Sequence, residues 1–136
     1  MITIYIDGGS RGNPGPAGYG VRVEDADAAL IDRFCGAIGD ATNNIAEYKG
    51  LLAGLQWAAS HGHREVRVRS DSELLVRQMK GEYRVRNPGL QPLYAEAQTL
   101  VRGIGRVTFE HVRRELNRDA DALAHEAMDA AQQKQL

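Results

Sequence analysis

The chain has 136 residues, 43% hydrophobic and 26% charged, with a formal net charge of −1. This is the composition of one soluble domain large enough for a real core, and it excludes a polycation and a low-complexity segment. No apolar run approaches the about 20 residues of a membrane helix, and Met1–Ile4 lacks the basic start of a signal peptide.

Ile2, Ile4 and Ile6 alternate with Thr3, Tyr5 and Asp7, the period of a strand that delivers the Asp7 carboxylate to its own end. Residues 8–16 then form a loop rich in Gly and Pro, whose backbone a bulky partner can approach closely. An Asp before Gly-Gly is also ordinary turn chemistry. The run reads Gly-Gly-x-x-Gly, with Pro14 and Pro16 where a helix would begin, so it departs from the dinucleotide fingerprint; no P-loop pattern occurs either. Residues 18–24 and 30–38 predict two further strands around a turn at 25–27, giving an antiparallel meander. Cys35, the single cysteine, excludes an internal disulfide and reads as a small buried strand thiol, in keeping with the cytoplasm.

Residues 42–61 predict a helix, capped by Thr42 or Asn43, with Ile45, Tyr48, Leu52, Leu55 and Ala59 at helical spacing. A second stripe runs Glu47, Gly50, Leu51, Gly54, Ala58. Helical glycines cost roughly 1 kcal/mol each relative to Ala, so two of them one turn apart imply close packing on a flat sheet. Glu47 lies on that stripe, where an acid is expensive unless paired, hydrogen-bonded or bound to metal. Residues 65–70 predict a fourth strand running into a helix over 71–80, with Ser70 and Glu73 at capping-box spacing and Asp71 in the first turn. A basic connector over 82–87 holds Tyr83. A helix over 88–102, a strand over 106–112 and a closing helix over 117–132 follow, with a frayed tail from about 132. The closing helix sets Asp121 among the small residues of a stripe Asn117, Ala120, Asp121, Ala124, Met128.

This order is an α/β layout in one domain, 1–136: three antiparallel strands, then helical crossovers adding strands to the same sheet. If the first and fourth strands are neighbours, Asp7 and Asp71 emerge at one sheet edge, and Glu47 and Asp121 meet them from helices. Four carboxylates cannot all ionise together without counter-charge. Oxygen-only ligands select hard cations, Mg²⁺ or Mn²⁺, and a cluster around two ions suits in-line displacement at phosphorus. Nucleic-acid binding by a chain of this charge rests on local patches. One spans Arg64, Arg67, Arg69, Arg77, Lys80, Arg84 and Arg86, and another Arg106, Arg113, Arg114 and Arg118; either serves equally as a solvated face.

The segments Asp7-Gly8-Gly9-Ser10-Arg11-Gly12-Asn13-Pro14-Gly15-Pro16, Thr42-Asn43-Asn44-Ile45-Ala46-Glu47, Ser70-Asp71-Ser72 and Asn117-Arg118-Asp119-Ala120-Asp121 resemble the signature segments of type I ribonuclease H, in that family's order. The resemblance covers essentially the whole chain. It implies a ribonuclease H-like fold, a five-stranded mixed sheet flanked by helices. It also implies Asp7, Glu47, Asp71 and Asp121 as catalytic residues holding two Mg²⁺ or Mn²⁺ ions, and endonucleolytic cleavage of the RNA strand of an RNA–DNA hybrid. By the same resemblance Gly8, Gly9, Ser10, Arg11, Asn13, Thr42, Asn43, Asn44, Ser72 and Tyr83 are expected on the nucleic acid, where minor-groove contact reaches the 2′-hydroxyls that distinguish RNA from DNA. Each polar residue among them doubles as a cap or turn former.

Three departures stand out. Residues 110–117 are too short for the histidine loop many bacterial members carry; His111 falls in a strand, and His125, one turn after Asp121, reads first as a surface histidine. The basic protrusion is abridged to 80–88, and Glu73 stands where several relatives carry Gln. Such short forms resemble archaeal and actinobacterial members, some of which also act on double-stranded RNA. No obligatory protein partner is evident. A non-cutting binder of hybrid, and a strand-transfer or junction-cutting enzyme of the same fold, are the competing readings; the four acids disfavour the first and Thr42-Asn43-Asn44 the second.

Overall fold

A computed structural model describes residues 1–134 of the chain. Strands β1 (Ile2–Ser10), β2 (Gly15–Glu24) and β3 (Leu30–Ala41) come first. Helix α1 (Asn43–Ser60), strand β4 (Glu65–Ser70), helices α2 (Glu73–Met79) and α3 (Gln91–Ile104), strand β5 (Arg106–His111) and helix α4 (Arg118–Lys134) follow. The sheet order is β3-β2-β1-β4-β5, antiparallel among the first three and parallel from β1 through β4 to β5. The expected mixed sheet is present, and β1 and β4 are neighbours.

Alternation in β1 decides the layers. Ile2, Ile4 and Ile6 are buried under α1, α2 and α3 in one core with Val21, Val23, Leu51, Leu55, Val66, Val68 and Leu75. The opposite face of β1, β2 and β3 is covered by α4 alone. The glycine stripe of α1 packs as its spacing predicts: a Cβ on Gly54 would meet Ile4 and Ile6, and one on Gly50 would stand 3.0 Å from the Asp7 carbonyl. A matching seam lies beneath α4, where a Cβ on Gly20 would press Leu123 Cβ at 2.6 Å and Ala124 N at 2.8 Å. Asp119, in the first turn of α4, receives Arg22 at 2.8 Å and Arg33 at 2.6 Å, tying that end of the helix to β2 and β3.

Several element boundaries differ from expectation. Asp7 does not end its strand: pairing with β4 stops at Ile6 and Ser70, while pairing with β2 runs on to Ser10. Gly8, Gly9 and Gly18 have no side chains to hold off the helices, so the strand continues beneath them. β2 starts three residues early at Gly15, and β3 reaches Ala41 through a bulge opposite Ala17 and Gly18. α2 is capped by Ser72, whose Oγ accepts from Leu75 N at 3.2 Å; Ser70 Oγ accepts from Ser72 N instead of capping the helix. Asn87 closes a turn on Gly89 and Leu90, which delays α3 to Gln91. α4 runs to Lys134, through the first residues of the expected frayed tail; 135 and 136 lie outside the described residues. Cys35 is only partly buried, because β3 is an edge strand. Among the described residues no helix is long and apolar enough to cross a membrane.

Gly20→Ala should lower the unfolding free energy in urea by about 1–3 kcal/mol through overpacking. Gly103→Ala, inside α3 with nothing within 4 Å of the new methyl, should raise it by about 0.5 kcal/mol. Equal effects of the two changes would contradict the close seam under α4.

Candidate active site

The end of the β1–β4 ladder is where the four acids meet. Asp7 follows its last rung on β1 and faces α4, since its partner Gly20 lies beneath that helix. Glu47 sits on the second turn of α1, whose Ala46–Glu47 peptide lies directly on Gly8; a Cβ there would stand 2.5 Å from Glu47 N. Asp71 is the first residue past β4, in the bend that Ser70 and Ser72 close. Asp121 is reached through the first turn of α4, its N–H donating to Asn117 O at 3.0 Å. All four line one open cavity of about 510 Å³.

Crowding of carboxylates dominates its electrostatics. Asp7 is pushed up to about 8, first by burial, then by the Asp71 charge and by a hydrogen bond shared with Asp121. Burial also raises Glu47, opposed by a hydrogen bond from Ser72, and the Asp71 charge adds to the rise. Asp71 is raised by burial against the pull of the Arg114 guanidinium, whose Nε lies 4.0 Å away. Such a site asks for positive charge. Its donors are all carboxylate oxygens, the set that hard divalent cations take, so the residues fit Mg²⁺ or Mn²⁺. The acids share a cavity without closing on one point: among the described residues, no three His, Cys, Asp or Glu side chains are grouped to clasp an ion.

Gly8, Gly9, Ser10, Arg11, Asn13, Asn43 and Asn44 line the same cavity. The loop is fastened to the start of α1: Asn43 Oδ1 accepts from Ser10 N at 2.9 Å, and Asn13 Oδ1 accepts from Asn43 N at 3.0 Å. Thr42 is the α1 cap, its Oγ1 accepting from Ile45 N at 3.2 Å, and Ser72 caps α2 while bonding Glu47. Neither lines the cavity. Tyr83 stands apart as well, 48% exposed beneath the Arg77 guanidinium, in a separate pocket with Leu74, Glu82, Arg84 and Arg86. Glu73 is held by Arg77 at 2.9 Å.

Sequence reasoning missed Arg114 and the role of Asn117. Arg114 borders Asp71 only because a 3-10 turn at Arg114–Leu116 folds it back over the cavity, and no periodic signal announces such a turn. Asn117 was visible as one position of a small-residue stripe; in the structure it is 1% exposed and donates to Ile6 O at 2.9 Å. His125 lines the cavity, with Nε2 3.6 Å from Asp121 Oδ1 and Nδ1 3.4 Å from Arg11.

A family model described as reverse transcriptase-like matches residues 5–127. The bifunctional protein Rv2228c of Mycobacterium tuberculosis is 50% identical over 133 residues, which cover 97% of this chain and 36% of that protein. The ribonuclease HI of Halobacterium salinarum is 41% identical over 130 residues, covering 96% of this chain and 65% of the relative. This chain thus spans about a third of the mycobacterial relative. Among solved structures, the N-terminal RNase H domain of Rv2228c superposes with a TM-score of 0.96 at 49% identity, covering 99% of this chain and 98% of that one. LC11-RNase H1 in complex with an RNA/DNA hybrid gives 0.92 at 42% identity, covering 96% and 99%. With matches of this extent over the same sheet and helices, the chain belongs to the reverse transcriptase-like family and, within it, to type I ribonuclease H.

Proposed function

We propose that the chain is a divalent-metal-dependent endoribonuclease that hydrolyses the RNA strand of RNA–DNA hybrids, leaving 3′-hydroxyl and 5′-phosphate ends. The observation that carries this reading is the meeting of Asp7, Glu47, Asp71 and Asp121, from four separate parts of the chain, in one cavity beside a glycine loop. Two relatives support it: LC11-RNase H1 has been solved with an RNA/DNA hybrid, and the Halobacterium protein is named ribonuclease HI.

The four acids would hold two Mg²⁺ or Mn²⁺ ions, which when bound make a nucleophile of water and neutralise the leaving oxygen. The other side chains orient the substrate. Gly8 and Gly9 line the cavity with backbone alone, and the start of α1 carries no acid in its first turn, so the helix dipole favours a phosphate there. Asn43 and Asn44 project from that end, where they suit the 2′-hydroxyl side of a hybrid groove. Ser10, Arg11 and Asn13 extend this wall; Thr42 acts by fixing the start of α1, which presents Asn43, and Ser72 by bonding Glu47. Tyr83, with Arg84 and Arg86 beside it, suits sugars and phosphates farther along the duplex. A single unpaired thiol, Cys35, is compatible with action in the cytoplasm.

End-labelled RNA–DNA hybrid should be cut in its RNA strand with Mg²⁺ or Mn²⁺ and not with EDTA, and double-stranded DNA should stay intact; a parallel lane of double-stranded RNA tests the broader substrate class. Uncut hybrid under every metal condition would sink the reading. Asp7→Asn should leave the circular dichroism spectrum unchanged and reduce cleavage at least about a hundredfold.

Asp7 titrates near 8 in the fold against about 4 in the unfolded chain, so folding favours its neutral form. That contribution is full below pH about 4 and lost as pH rises through about 8. Glu47 and Asp71 are displaced in the same direction. In EDTA, wild-type melting temperature should therefore fall over this window, the Asp7→Asn variant should fall less, and added Mg²⁺ should restore wild type at pH 8. Parallel wild-type and variant profiles would contradict the crowding of Asp7.

A further inference from the structure

Asn117 occupies the split where β1 and β4 part. Ile6 and Ser70 form the last rung of that parallel pair, and beyond it the chain turns away into Asp71. The Ile6 carbonyl then takes Asn117 Nδ2 at 2.9 Å, so a side-chain amide stands in for the next rung. A side-chain hydrogen bond also links Asn117 to the Asp71 carboxyl. The Asn117 backbone carbonyl accepts the Asp121 N–H at 3.0 Å, fixing the first turn of α4. Asn117, 1% exposed, thus reaches the residue before Asp7 and the carboxyl of Asp71 through its side chain, and the turn that carries Asp121 through its backbone.

The amide's orientation follows from its partners. Ile6 O requires a donor, which leaves Asn117 Oδ1 buried with no partner. An apolar residue of similar volume would plug the split without burying an orphan acceptor, yet it would supply no N–H to Ile6 or Asp71. The need for those donors accounts for an amide at this point.

We propose that Asn117 is a positioning residue: it sets the spacing of Asp7, Asp71 and Asp121, and through that spacing the affinity of the site for divalent cations. The inference rests on the metal-dependent nuclease reading above. Asn117→Ala should weaken Mn²⁺ binding by about 10–100-fold, the range for residues that hold metal ligands in place. Binding is read on the purified protein from the electron paramagnetic resonance signal of free Mn²⁺, without turnover. In the cleavage assay the metal concentration for half-maximal rate should rise equally, while KM for the hybrid stays unchanged. Asn117→Leu, which fills the split with similar volume and donates to neither Ile6 O nor Asp71, should show the same weakening.

Trp57→Phe, which removes the bond from Trp57 Nε1 to Asp32 Oδ2 at 2.9 Å near the opposite end of α1 from Glu47, serves as the control. It should lower the melting temperature with no change in Mn²⁺ affinity. A folded Asn117→Ala protein that binds Mn²⁺ like wild type, whatever its melting temperature, overturns the proposal. Failure of both Asn117 variants to fold would overturn it too, in favour of a purely structural role. Wild-type protein that binds no Mn²⁺ would instead strike at the nuclease reading itself.

Discussion

Four carboxylates can share one cavity here only because backbone is allowed to lie on backbone. Glu47 and Asp121 belong to helices on opposite faces of the sheet, and both must reach the strand that carries Asp7. A helix resting on ordinary side chains is held off the sheet by their length, too far for a short acid to meet its counterpart from the other face. Glycines remove that spacing on both sides: Gly8, Gly50 and Gly54 let α1 down onto β1, and Gly18 and Gly20 let α4 down onto β2. The helix-propensity cost of Gly50 and Gly54, about 1 kcal/mol each, is the stability given up for this approach. With the helices so close, burial raises Asp7, Glu47 and Asp71 together. Close packing and the demand for cations are therefore one property of the fold.

What could be read in the sequence was whatever repeats or stands out against a period. The alternation of Ile2, Ile4 and Ile6, the stripe Glu47, Gly50, Gly54 and the setting of Asp121 among alanines announced the sheet, both helix seams and three of the acids, because burial imposes a period on composition. The parallel pairing of β1 with β4, inferred as the condition for Asp7 and Asp71 to meet, is present. Boundaries were less legible, since side-chain hydrogen bonds decide them. Whether Ser70 or Ser72 caps α2 turns on which hydroxyl reaches Leu75 N, and both residues look alike in the chain. The place of Arg114 depends on a single 3-10 turn, and that of Tyr83 on a connector with no periodicity at all.

The polar residues of the site divide along similar lines. Asn13 and Asn43 were expected at the ligand; both line the cavity, and both fasten the loop to α1. Thr42 and Ser72 are occupied as caps and do not line the cavity; Thr42 acts on it through the start of α1, and Ser72 through its bond to Glu47. Asn117 is the reverse case, a residue that looked like packing and turned out to hold polar contacts with the acid-bearing segments.

The distribution of the acids along the chain has a bearing on how the protein comes into being. Asp7 lies on β1 and Asp121 on α4, with the rest of the sheet between them in the chain. A ribosome-bound chain that stops short of residue 118 carries three of the acids and an uncovered glycine face on β2, and it has no complete site. Docking of α4 is at once the step that shields that face and the step that assembles the cavity. A centre so arranged is incomplete throughout translation of β1 to β5 and comes into existence only once α4 closes the fold.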